Sequence, residues 1–307
     1  MTNFSARELP WTKVGTVIDT PGVTAAEAIE IADLGFDVKT VDAGFLSSDG
    51  TWQDCPGRVA IVRADTEEFF SFATDAYHPV QYREAFDFID HINPEIVAAG
   101  SLRGGRQGFV VTKLPESSDL NLTLLGQDDP HTMYVLLRTS QDLTLGLEIM
   151  ITTLRHKCMN QLTLPSMKTG VPRMWAIRHM STIKQRMAQA EQLITSTANY
   201  ATEFERIANR LANIDINWDN AEKILTRVLP DKPQRQTAID GIHVAWKDDE
   251  TNGFYGNGWG LVQSVDEYFE WTRSSRRRTD ESRFNDSLDG LAAKMTSRTA
   301  HVLLATY

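Results

Sequence analysis

From Leu143 to Thr152 the chain alternates strictly, with Leu143, Leu145, Leu147, Ile149 and Ile151 separated by Thr144, Gly146, Glu148, Met150 and Thr152. A period of two is that of a strand with one dry face, and a helix cannot bury such a pattern. Just upstream, Met133, Val135 and Leu137 alternate with Tyr134, Leu136 and Arg138, and Thr139 to Asp142 supply small polar residues suited to a reversal. The pattern predicts an antiparallel hairpin over 132–156. After a connection bearing Pro165, Gly170 and Pro172, a run without Gly or Pro extends from Met174 to Asn213. Its apolar residues recur every three or four positions, which predicts one long amphipathic helix or two in line.

The same stretch carries an unusual charge pattern. No Asp or Glu lies between Ile149 and Ala190, whereas Arg155, Lys157, Lys168, Arg173, Arg178, Lys184 and Arg186 all do, beside His156 and His179. The whole chain has a net charge of −10, which disfavours a protein coated in nucleic acid but leaves room for one basic groove. Cations at the start of a helix oppose its macrodipole, and a bound phosphate would relieve the conflict. The ordinary reading of such a run is a solvated face.

The flanking sequence indicates an α+β fold and not alternating βαβ units. Thr24-Ala-Ala-Glu27 is a capping box opening a helix that Gly35 closes. Strands are expected at Phe36–Val41, Arg58–Arg63, Glu68–Thr74, Ile96–Ala99 and Gly108–Leu114, with a helix from Tyr82 that ends before Pro94. Pro115 to Pro130 reads as a polar loop. After Asn213 the pattern is helical: Trp218–Leu229, Thr237–Trp246, a stretch from Leu261 and a last helix from Leu288. This divides the chain into an α+β core over 1–215 and a mainly helical region over 216–307.

Gly100-Ser-Leu-Arg-Gly-Gly-Arg-Gln-Gly108 carries Arg103 and Arg106 but lacks phosphate-loop spacing, and a hairpin turn is its simpler reading. Gly256-Asn-Gly258-Trp-Gly260 follows no strand, so it is not a dinucleotide fingerprint. Cys55 and Cys158 stand alone, without metal or disulfide spacing, and read as buried apolar residues. No HExxH, GxSxG or Walker pattern is present, which argues against an enzyme and calls for no cofactor or metal. No signal peptide or run of about 18 apolar residues occurs, so a cytoplasmic protein with no membrane partner is expected.

Several motifs resemble one known family. Pro10-Trp11 with Gly15, Arg63-Ala-Asp65, Tyr77, Arg155-His-Lys-Cys158-Met-Asn160-Gln-Leu162, and Trp259 with Glu267-Tyr268 are similar to the phage- and plasmid-borne proteins grouped as a phage/plasmid-like domain of unknown function. The resemblance covers nearly the whole chain and implies a mobile-element setting. Family members usually carry a His-Asp-Gly-Ser turn in the central hairpin, where this chain reads Gln141-Asp142-Leu143-Thr144. Any chemistry of that turn is therefore not expected here. The order of helix, antiparallel strands and long helix also resembles, at the level of fold alone, the Rad-and-Erf class of single-strand annealing proteins.

These readings converge on a single-stranded DNA binder that assembles as a homo-oligomer. Phosphates would be tracked by Arg155, Lys157, Arg173, Arg178, Lys184 and Arg186, with Arg103 and Arg106 on the rim. The competing expectation is a non-enzymatic phage structural or host-interaction protein.

Overall fold

The computed structural model describes residues 8–92, 94–113, 119–162, 164, 174–177, 183–249, 252–273 and 279–307. In chain order the elements are β1 (Thr16–Val17), α1 (Ala25–Ile31), β2 (Val38–Leu46), β3 (Trp52–Arg63), β4 (Phe69–Thr74), α2 (Tyr82–Phe86), β5 (Glu95–Leu102), β6 (Gln107–Lys113), β7 (Asp119–Leu124), β8 (Gln127–Ser140), β9 (Leu147–Arg155), β10 (Gln161–Leu162) and β11 (Met174–Ile177). Helices follow: α3 (Ile183–Ala212), α4 (Trp218–Val228), α5 (Arg235–Lys247), α6 (Gly258–Glu267), α7 (Asp280–Leu288) and α8 (Leu291–Thr306). The fold is α+β. One antiparallel sheet has the order β1-β5-β6-β8-β9-β10, with β7 on the free half of β8 and β11 beside β10 along the outer edge of β9. A separate three-stranded sheet has the order β2-β3-β4.

The central hairpin is β8 and β9, in the register Val135↔Ile151 and Leu137↔Ile149. Two features of it differ from the sequence reading. Leu143 lies in the turn with φ of 64° and is 47% exposed, so the strand begins at Leu147. β9 is also dry on both faces: Leu147 and Ile149 pack under α1 and α2, Met150 and Leu154 pack on the opposite side with Trp11 and Phe284, and Ile151 joins the helical core. The strand looks half-buried in sequence because Thr152 and Thr153, though polar, are fully enclosed.

Pro115 to Pro130 is not simply a loop. Leu120, Leu122 and Leu124 alternate as strand β7, which turns at Leu125 and Gly126, both at positive φ, and pairs with the start of β8. The helix expected over 174–213 begins only at Ile183, and Met174–Ile177 instead pairs with β9. β-branched and aromatic residues on an open sheet edge favour this pairing over helical propensity.

α1 carries its predicted capping box, with Thr24 accepting from the Glu27 N–H, but ends at Ile31 and not at Gly35. The last helix expected from Leu288 is two, because α7 already spans Asp280–Leu288 behind an N-cap at Thr279. Tyr200, Phe204, Ile207, Ala208 and Leu211 form the buried stripe of α3. They belong to one cluster with Leu122, Met133 and Ile151 from the sheet and Ile224, Trp246, Trp259 and Val262 from the later helices, so residues on both sides of position 215 share one core. No helix among the described residues is long and apolar enough to cross a membrane.

Candidate functional site

The end of β9 places Arg155 where its sequence neighbours give no hint of it. Its side chain is 0% exposed. Nε donates to Asp129 Oδ1 at 2.6 Å, Nη2 donates to the Asn252 carbonyl at 2.7 Å, and Nη1 lies 3.7 Å from Cys158 Sγ. Asp129, on β8, also accepts from the Trp259 indole N–H at 2.9 Å. Asn252 donates to the Gly260 carbonyl and to Ser264 Oγ. The network ties the hairpin to the loop before α6 and to α6 itself. Arg155 is therefore enclosed and cannot face a groove, which corrects its assignment as a phosphate donor.

His131 sits beside this network, its Nδ1 2.8 Å from the Asp129 carbonyl oxygen. Burial pushes its pKa down to about 4, so the ring is neutral. Burial likewise raises the Cys158 thiol to about 11, which makes it a poor nucleophile. Cys55 is only half-buried.

Of the other expected donors, Lys157 is exposed one turn beyond Arg155. Arg103 and Arg106 lie in the tight turn between β5 and β6, where Arg103, Gly104 and Gly105 all have positive φ. The glycine-rich segment is thus a hairpin turn. Both arginines already have carboxylate partners: Arg103 pairs with Asp142 at 2.9 Å, and Arg106 pairs with Glu68 at 2.9 Å and donates to the Phe69 carbonyl. Arg106 fastens the small sheet to the large one. Arg173 and Arg178 lie outside the described residues; Lys184 and Arg186 fall in the first turn of α3, and their side chains also lie outside the description.

A second polar site carries no sequence signature. Helix α6 runs into a π-helical turn, Tyr268–Thr272, and around this junction Asp266, Glu267 and Glu270 are 1%, 6% and 4% exposed. Asp266 accepts from Thr296 Oγ1 at 2.8 Å, and Glu270 accepts from the Gln161 backbone N–H at 3.0 Å. Burial pushes Asp266 up to about 7 and raises Glu270 well above the carboxylate range, with the neighbouring Asp266 charge adding to the second shift. The pair is stable only while it holds a proton. Glu270 lines a cleft of about 350 Å³ together with Glu8, Lys13, Asp280 and Arg283. Carboxylates one helical turn apart read as a solvated face in sequence, and the extra residue of the π turn that helps bury them has no local signal.

No curated protein and no solved structure matches the chain. A family model described as a domain of unknown function, DUF932, matches residues 70–289, from β4 through α7, and the chain belongs to that family.

Proposed function

We propose that this protein binds single-stranded nucleic acid along the outer edge of its larger sheet, as an annealing protein of a phage or plasmid would. One observation carries the reading: the acid-free stretch of a chain with a net charge of −10 makes that edge. It supplies most of β9, all of β10 and β11, and the opening turns of α3. Lys157 lies at one end of the edge, and Lys184 and Arg186 begin the helix that follows it. Such a track needs phosphate donors and no catalytic residue or cofactor. Self-assembly belongs to the same proposal, because β11 has β9 as its one sheet neighbour among the described residues, and its other backbone edge can pair with a neighbouring copy.

Titration with single- and double-stranded DNA at two salt concentrations tests it. The parent is expected to prefer the single strand, with affinity falling as salt rises. Reversing Lys157, Lys184 and Arg186 to Glu removes up to three phosphate contacts, and at about −0.7 per contact the slope of log K against log salt should flatten by about 2. Light scattering should show an oligomer that grows on adding single strands. A parent that binds no single strand at low salt ends the proposal.

A further inference from the structure

The small sheet β2-β3-β4 buries one face and leaves the other bare. Val38, Ile61, Phe70 and Ala73 form its own core, closed by Phe36, which stands edge-on to Phe70 and Tyr82 at 6.0 and 5.9 Å. On the opposite face, Val41 pairs with Ala60 and Ala60 with Phe72, while Val62 pairs with Phe69. The Phe69 and Phe72 rings lie 4.8 Å apart, 44% and 61% exposed. Beyond the bulge after Asp42 the hairpin arm continues with Phe45, Leu46 and Trp52, each more than half exposed. Trp52 lies over Gly44, where any Cβ would enter its ring. Of the twelve large apolar side chains exposed among the described residues, six belong to this sheet. Clustering on that scale marks an interaction surface, since scattered apolar residues are the norm elsewhere.

Charge selects the occupant. From Val38 to Asp75 the chain has seven acids and three cations, a net charge of −4. Phosphates are repelled by such a surface, and a two-fold contact with a second copy would set like charges against each other. Among the described residues β2 has β3 as its one sheet neighbour, and beyond Val38, whose N–H and C=O are both taken by the Gln81 side chain, it presents an open backbone edge. The family match begins at residue 70, so β2 and β3 stand outside it. We infer that the outer face of this sheet, with the β2 edge, docks an extended basic segment of another protein, whose apolar side chains lie over Val41 and meet the Phe72 and Phe69 rings across the small Ala60, while its Lys or Arg residues meet Asp42 and Asp54. This is strand addition, in which the backbone supplies affinity and alternate side chains supply specificity.

A twelve-residue peptide alternating Lys with Val and Phe serves as the probe, and the same peptide with Glu for Lys as its control. The Lys peptide is expected to bind the full chain, to slow amide exchange over Thr40–Asp42, and to bind at least tenfold more weakly to F69S/F72S. D42N/D54N should weaken binding several-fold and reduce its salt dependence; Asn at 54 still accepts from the Trp52 indole, which donates to Asp54 at 2.7 Å in the parent. Unchanged melting of both variants controls for folding, because every substituted side chain is exposed. The inference is overturned if the Lys peptide does not bind, if both peptides bind alike, if F69S/F72S binds like the parent, or if light scattering shows a parent dimer that F69S/F72S dissolves.

Discussion

Arg155, fully enclosed, makes hydrogen bonds to a carboxylate and a backbone carbonyl. Arg155→Met would leave Asp129 buried with only the Trp259 indole and should cost about 3–5 kcal/mol, read as a lower denaturant midpoint at unchanged slope. Arg155→Lys should recover little, since a point charge cannot span those partners. Buried acids at the π turn and the buried His131 set opposite pH dependences. The Asp266 carboxyl, held near 7, binds a proton in the folded state that the unfolded chain has lost, so its contribution falls as pH rises from about 4 to 7. His131, held near 4, does the reverse: stability is lost as pH falls from about 6.5 to 4. In the parent the slopes oppose each other. Glu270, raised by the same burial, keeps part of the falling slope, so Asp266→Asn should make stability fall less with pH across this window and should exceed the parent most above pH 7, as measured by melting at pH 4, 6 and 8. None of this was legible in sequence. Asp129 and Arg155 are partners only through a hairpin register, and a cation in an acid-free run looks solvated until that register is known.

Elements were legible where the signal is local and lost where tertiary pairing decides. The capping box at Thr24, the helix that opens at Trp218 and the antiparallel pairing of the central hairpin rest on short-range chemistry, and the chain obeys them. β7 and β11 are strands because β8 and β9 offer open edges to them, which propensity alone does not encode. The Gly256–Gly260 run had no cofactor signature, and its packing explains Gly260. Asn257 caps α6 by accepting from the Gly260 N–H at 3.0 Å, and a Cβ at 260 would collide with the Phe254 carbonyl and crowd the Trp246 ring. Gly260→Ala is expected to destabilise by more than about 3 kcal/mol, as overpacking of a rigid site does. Gly146→Ala, where a Cβ meets nothing, should be near neutral. Parallel thermal melts of the two variants check the contrast.

The molecule as a whole is held by a core to which the sheet and the later helices both contribute. A fragment ending at residue 215 would uncover the sides of Phe204, Ile207 and Leu211 that face α6 and α8, at about 1.5–3 kcal/mol for each large side chain left bare. It should bind a hydrophobic dye and lack a cooperative melt, whereas the intact chain should melt in one transition. The buried acids at the π turn have a further effect, visible without any ligand. Composition counts Glu270 as ionised in its total of −10, but burial and the neighbouring Asp266 charge push its carboxyl toward the protonated form in the folded chain. Unfolding returns that carboxyl to water, where it ionises. In a lightly buffered solution at pH 7, denaturing this protein should therefore release protons and acidify the solution, an effect a pH-stat can titrate.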